Sequence, residues 1–115
     1  MPHYLLSIHH TDAAPTGEGA TVEEILADVA AFNADLQEQG AWVYAGGLQP
    51  AEAAVWVDGR DGTVAAHEGT IISGELQLGG IWIVDAADEP AARAWATRAS
   101  AACRFPVEVR LFMET

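Results

Sequence analysis

The chain has 115 residues, half of them hydrophobic, and its 17 acidic residues outweigh five arginines to give a formal charge of −12. This length suits one domain over residues 1–115. No apolar run reaches the roughly 18 residues that a membrane-spanning helix needs. The arginines are scattered in an acidic chain, which makes nucleic acid a poor partner. The absence of lysine excludes Schiff-base and P-loop chemistry, and the single cysteine, Cys103, cannot form an internal disulfide.

The first half of the chain predicts a strand, a helix and a second strand. Apolar residues alternate over residues 3–9, which is typical of a strand. Thr21 and Glu24 form a T-x-x-E capping box that starts a helix over residues 21–39, where apolar residues recur at steps of three and four. The run over residues 41–48 then predicts a second strand.

The second half predicts a hairpin, a strand, a helix and a last strand. Residues 55–57 and 63–65 flank a turn-rich loop and form the hairpin. A strand within residues 77–86 is followed by a helix over 88–102 and a strand over 107–113. This order predicts an α+β fold of the ferredoxin-like βαββαβ type, with an antiparallel four-stranded sheet and the hairpin as an insertion.

Both helices of such a fold cover one face of the sheet and leave the other face open. Side chains alternate between the faces along each strand. In the last strand, Val107, Val109 and Leu111 are the natural helix-side residues, which places Glu108 and Arg110 on the open side. Extended to the other strands, this interpretation assigns to the open face Ser7, His9, Trp42, Tyr44, Trp82, Glu108, Arg110 and Phe112.

A face that mixes large aromatic and polar side chains cannot stay in water without exposing an apolar patch. One interpretation is a homodimer in which two such faces meet, with Arg110 and Glu108 paired across the interface. The other is that the dimer leaves a concave pocket for a small aromatic or anionic ligand. His9 would then be the proton acceptor, and the binding residues would be Ser7, Trp42, Tyr44, Trp82 and Arg110.

His67 and Glu68 follow the hairpin in a predicted loop, where binding residues concentrate. They are candidates for an acid/base pair, and the alternative is that both are solvated, because neighbours in an extended segment point apart. No metal motif occurs, neither H-E-x-x-H nor paired cysteines. We therefore expect no metal and no other cofactor.

Four short segments carry a family resemblance: Phe32-Asn33 in the first helix, Gly46-Gly47-Leu48 after the second strand, Leu78-Gly79-Gly80 before the next strand, and Val107-Glu108-Val109-Arg110 at the end. Together they resemble the YCII-related family, in its DGPF branch. The resemblance implies a ferredoxin-like unit that pairs into a dimeric α+β barrel. It implies no particular reaction, because the chemistry of that family is largely unassigned.

The motif that names the branch is degenerate in this chain. Where the branch reads Asp-Gly-Pro-Phe, residues 68–71 read Glu-Gly-Thr-Ile. The branch's acid and lysine further along fall on Ser73 and Glu75. Proteins of the YCII group proper are similar in carrying a His–Asp pair, with the histidine on the first helix. The first helix of this chain has no histidine, so the resemblance implies no such pair here.

Two functions are therefore expected from the sequence. The first is a dimeric small-molecule-binding or accessory protein. The alternative is a cofactor-free acid/base enzyme, such as an isomerase, a cyclase or a dehydrochlorinase-like lyase. Its substrate would be a small compound, aromatic or not, with His9 or His67 as base and Arg110 holding an anion. The first residues lack the basic and apolar regions of a secretion signal, which favours a cytoplasmic location.

Overall fold

A computed structural model describes residues 1–10 and 21–113. The elements in chain order are β1 (His3–His10), α1 (Val22–Glu38), β2 (Trp42–Gly47), β3 (Val55–Asp58), β4 (Ala65–Glu68), β5 (Gln77–Asp85), α2 (Glu89–Cys103) and β6 (Val107–Leu111). A single 3-10 turn, Ala51–Ala53, precedes β3. The predicted α+β fold with an inserted hairpin is confirmed.

The main sheet has four antiparallel strands in the order β2-β5-β1-β6, and β3 pairs with β4 in a separate two-stranded sheet. With the hairpin set aside, the four strands have the ferredoxin-like order. In the centre of the sheet, Leu6 lies opposite both Trp82 and Val109. Leu6 and Val84 are fully buried, so the core lies on this side of the sheet, beneath the helices.

Both helices begin at a side chain that caps the first turn. The hydroxyl of Thr21 accepts a hydrogen bond from the backbone N–H of Glu24, and the carboxylate of Asp88 accepts one from Ala91. Each cap satisfies an amide that has no partner within the helix. The buried positions of α2 are small, which lets this helix lie close to the sheet: Ala92, Ala96, Ala99, Ala102 and Cys103.

Arginines hold the two helices together at their outer surface. Arg104 ends α2 in the left-handed conformation, with φ of 68°, and its guanidinium donates to the Asp28 carboxylate on α1 at 2.7 Å. Arg98 reaches Asp35 at 2.5 Å and lies over the rings of Phe32 and Trp95. The helix layer is therefore cross-linked by charge as well as by apolar packing.

The molecule is 18 Å thick along its shortest axis, which corresponds to one helix layer on one sheet. The described residues place no second layer on the other side of the main sheet. We call that side the open face. Among the described helices, none is both long and apolar enough to cross a membrane.

Candidate functional site

The strand register determines which side chains share the open face. Ser7 lies opposite Ile81 and Glu108, and Leu5 lies opposite Ile83 and Arg110. Cross-strand partners project to the same side of a sheet. The open face therefore has an apolar centre, formed by Leu5 and the two isoleucines of β5, with polar groups beside it on β6. Tyr44 is also on this face, opposite Ile83.

His9 joins a line of polar side chains at one end of the open face. A β-bulge between Ile8 and His9 shifts the register at this point. Nε2 of His9 lies 3.1 Å from Oγ of Ser7 and 3.4 Å from Oε2 of Glu108. Glu108 also accepts a hydrogen bond from Arg110 at 3.0 Å. Sequence alternation thus placed Ser7, His9, Glu108 and Arg110 on the correct face.

This polar line is not a nucleophile–histidine–acid relay. Such a relay needs the hydroxyl on one ring nitrogen and the acid on the other, whereas Ser7 and Glu108 both approach Nε2 of His9. The geometry instead suits a histidine that exchanges a proton with a nearby carboxylate or with a ligand.

Arg110 is occupied by its own chain. Its guanidinium donates a hydrogen bond to Glu108. This hydrogen bond is the main cause that holds the pKa of Glu108 below its usual range, the positive charge of Arg110 is the next, and His9 adds a smaller effect. A guanidinium already paired with a carboxylate is a weaker counter-charge for a bound anion. The predicted use of Arg110 as an anion holder is thus not favoured by this geometry.

Two of the predicted binding residues lie on the wrong side of the sheet. Trp82 is only 3% exposed, sits opposite Leu6, and donates from its indole N–H to Oδ1 of Asn33 on α1 at 2.7 Å. Trp42 lies opposite Val84 and packs against the core. A bulge between positions 42 and 44 of β2 puts Trp42 and Tyr44 on opposite faces. The predicted placement of Trp42 and Trp82 on the open face is therefore wrong.

An apolar cleft begins where the open face ends at His9. It has a volume of about 660 Å³ and is formed by residues 48–51, 53–56, 69–72 and 76–78 together with His9. Its walls are mostly aliphatic or aromatic, and His9 is the one titratable side chain among the described lining residues. A cleft of this size is within the usual range for small-molecule sites. We call it the cleft below.

Two polar side chains of the cleft hold its own wall in place. Thr70 donates from its hydroxyl to the carbonyl of Ile72, and the amide of Gln77 donates to the carbonyls of Ile72 and Gly74. These bonds fix the path of the loop between β4 and β5. Its apolar side chains, including Ile71 and Ile72, remain at the surface.

A second, more polar hollow of about 570 Å³ shares this loop and reaches His10. The ring of His10 packs on Phe105, with centroids 4.3 Å apart, and burial lowers the pKa of His10. A Cβ at Gly79 would overlap with this ring. Any larger residue at position 79 would therefore force the His10 ring to shift.

His67 and Glu68 are strand residues, and the predicted loop placement is wrong. The second hairpin strand begins at Ala65, two residues later than the predicted start, and ends at Glu68. His67 lies opposite Trp56 and stacks on its indole, with centroids 4.0 Å apart, whereas Glu68 lies opposite Val55. Their side chains therefore leave opposite faces of the hairpin, which does not suit an acid/base pair.

The histidines, carboxylates and cysteine of the described residues form no group of three or more that could hold a metal ion. At the far end of the open face, Nε2 of His3 lies 2.8 Å from Oδ1 of Asp85. Cys103 is buried, and this burial raises the pKa of its thiol. Neither feature is arranged as a metal centre or an activated nucleophile.

The YCII-related domain model matches residues 1–111 of the chain. The chain belongs to the YCII-related family. No curated protein matches the chain.

In this YCII-related chain, Gly69 has φ of +93° and its N–H donates to the carbonyl of Ala54 at 2.7 Å. A residue with a side chain would be strained in this conformation, so the glycine of the degenerate motif is needed to leave β4. Membership of the DGPF branch stays a prediction.

Sequence reasoning missed most of the cleft of this YCII-related chain. Of its lining, only His9 had been proposed as a site residue. One signal was present: Ile71, Ile72 and Leu76 are apolar residues in a segment with turn character, and such runs are unfavourable at a surface unless they contact something. That signal marks the segment without showing what it faces.

Proposed function

We propose that this protein is a small-molecule-binding protein whose ligand occupies the cleft. The observation that carries the proposal is the combination of an apolar cleft of about 660 Å³ with one titratable side chain, His9, in its lining. Sites for small molecules are typically concave and apolar with a few polar groups that orient the ligand.

The ligand favoured by this lining is apolar and uncharged, with one group that can hydrogen-bond to His9. The described lining residues include no arginine, and Arg110 is paired with Glu108 outside the cleft. A protein of charge −12 also repels anions at long range. An uncharged aromatic compound with a hydroxyl or carbonyl group fits these conditions better than the aromatic anion expected from the sequence.

Titration with N-phenyl-1-naphthylamine, an uncharged dye that fluoresces in apolar sites, tests the proposal. Wild type should bind the dye in a saturable way. Ile72→Asp places a carboxylate at the cleft wall and should weaken binding at least tenfold. Val22→Asp is the matched control, because Val22 is as exposed as Ile72 (73% and 74%) and lies on α1. Equal binding by both variants, or no saturable binding by wild type, would show that the cleft is not the site.

Competition against the dye tests the role of His9. If His9 hydrogen-bonds to the ligand, 2-naphthol should compete more strongly than naphthalene, by about three- to tenfold for one hydrogen bond. His9→Phe should keep the apolar contact and remove this preference. A preference that survives in His9→Phe would assign the hydrogen bond to another group.

A second candidate function is a cofactor-free acid/base enzyme, which the distance of 3.4 Å between His9 Nε2 and Glu108 Oε2 favours. A histidine next to a carboxylate can accept a proton from a carbon acid that is held against it. Proton exchange at the α-carbon of 2-tetralone in D₂O, followed by NMR, is the test. Exchange above the buffer rate that disappears in His9→Gln supports the enzyme; exchange at the buffer rate leaves only binding.

We also propose that the chain forms a homodimer through the open face and works in the cytoplasm. Leu5, Ile81 and Ile83 form an apolar centre with polar groups at its margin, which is the usual anatomy of a protein interface. Arg110 and Glu108 pair within one chain at 3.0 Å, and a partner could share this pair. Sedimentation at micromolar concentration tests the dimer, and a folded monomer would refute it.

A further inference from the structure

The β3–β4 hairpin extends from the main sheet as a separate two-stranded arm. One of its faces carries Val55 and Val57, opposite Glu68 and Ala66, and the two valines are 65% and 62% exposed. Val64 in the turn is exposed as well. We call this surface the valine face. The other face is occupied by the stack of Trp56 on His67.

A lone two-stranded hairpin is marginally stable in water, and β-branched apolar residues on an uncovered face do not help it. The chain has an accessible surface of 7935 Å², whereas a compact protein of 12.1 kDa is expected to have about 6000 Å². The difference exceeds the roughly 800 Å² that each subunit buries in a stable dimer. The excess surface of the chain is thus large enough for a dimer interface that includes the valine face.

The cleft is open to solvent next to the valine face. Leu48, Ile72 and Leu76 line it and are exposed, whereas a bound small molecule usually loses 70–90% or more of its accessible surface. Val55 belongs both to the lining of the cleft and to the valine face. The opening of the cleft and the uncovered valines are thus adjacent on one chain.

We propose that the hairpin arm of a second copy closes the cleft, with its valine face against the apolar opening. In a twofold dimer each contact occurs twice, so a rotation axis beside the hairpin lets each arm cover the cleft of the other subunit. The cleft meets the open face at His9, so the cleft and the open face can belong to one interface. The proposal rests on the cleft being the binding site, and it makes that site incomplete in one chain.

Cross-linking between two differently tagged chains tests the arm without any ligand. One chain carries Val57→Cys and the other Ile72→Cys, and purification over both tags selects mixed dimers, which are oxidised with diamide. Cys103 is buried in both chains. A covalent mixed dimer is expected from this pair and not from the control pair of Val22→Cys with Ile72→Cys. No mixed dimer, no covalent product, or equal product from both pairs would overturn the proposal.

Complementation then tests whether the arm completes the site. Val57→Glu alone should weaken binding of N-phenyl-1-naphthylamine at least tenfold, whereas Val22→Glu should not. A mixed dimer of Val57→Glu with Ile72→Asp keeps one cleft and the arm that covers it, so it should bind half as much dye as wild type with unchanged affinity. A mixed dimer that binds no dye shows that cleft and arm act within one chain. If wild type binds no dye, the binding proposal fails, and the cross-link alone decides the place of the arm.

Discussion

Replacing Trp82 by phenylalanine should destabilise the fold without disturbing the open face. Trp82 is buried under the helices, and its indole N–H donates to Oδ1 of Asn33 at 2.7 Å. Phenylalanine keeps an aromatic ring beside Phe32, which the indole meets edge to face at a centroid distance of 5.2 Å. It loses the donor and leaves the Asn33 oxygen without a partner.

The expected cost has two parts. An unpaired, half-buried amide oxygen costs about 1 kcal/mol, at the low end of the range for buried groups. The smaller ring leaves a cavity of about 40 Å³, which adds about 1 kcal/mol. The total of about 2 kcal/mol corresponds to a fall in Tm of roughly 8 °C for a domain of this length.

Urea denaturation followed by circular dichroism, at one fixed protein concentration, measures this cost. A double-mutant cycle with Asn33→Leu isolates the hydrogen bond, because removing both partners costs less than the two single changes together. A coupling of about 1 kcal/mol is expected. Trp56→Phe on the hairpin is the control and should cost below about 0.5 kcal/mol. A Trp82→Phe cost below about 0.5 kcal/mol, or strict additivity with Asn33→Leu, would refute the placement of Trp82.

Three further predictions concern Gly79, His10 and Arg110. Gly79→Ala should lower the free energy of unfolding by about 1–3 kcal/mol, because its Cβ overlaps with the His10 ring, and the cost should vanish in a His10→Ala background. Burial lowers the pKa of His10 in the folded state. The contribution of neutral His10 to stability is therefore complete above its unfolded pKa of about 6.5 and is lost as the pH falls through its folded pKa. His10→Phe, which keeps the contact with Phe105, should flatten the dependence of stability on pH between pH 7 and 5. Arg110→Glu should place a second carboxylate beside that of Glu108, at a cost on the order of 2–5 kcal/mol of dimer stability if the pair is desolvated. Sedimentation that shows an undisturbed dimer would locate the interface elsewhere.

The fold could be predicted because its signals are local. The capping box at Thr21, the cap at Asp88 and the turn-rich loop of the hairpin each depend on residues within one turn of chain. The alternation in β6 was also sufficient, because polar Glu108 and Arg110 mark one side of that strand.

The faces of β5 and β2 could not be predicted in the same way. Residues 81–84 of β5 are apolar on both sides, so alternation alone gives no polar marker, and the side of Trp82 is fixed only by its register with Leu6. In β2, one extra residue reverses the alternation between Trp42 and Tyr44. The cleft depends on the path of the chain through segments that lie far apart in sequence, and no local pattern encodes their approach.

The bulge in β2 also affects how copies of this chain can associate. β2 is an edge strand of the main sheet, and Val43 is the extra residue that interrupts its pairing with β5. A regular edge presents a row of backbone donors and acceptors to any passing strand, and a bulge disrupts that row. Continuous growth of the sheet from chain to chain, the route to fibrils, is thereby discouraged at this edge. Deleting Val43 would restore an even ladder and turn a protected edge into a template for polymerisation.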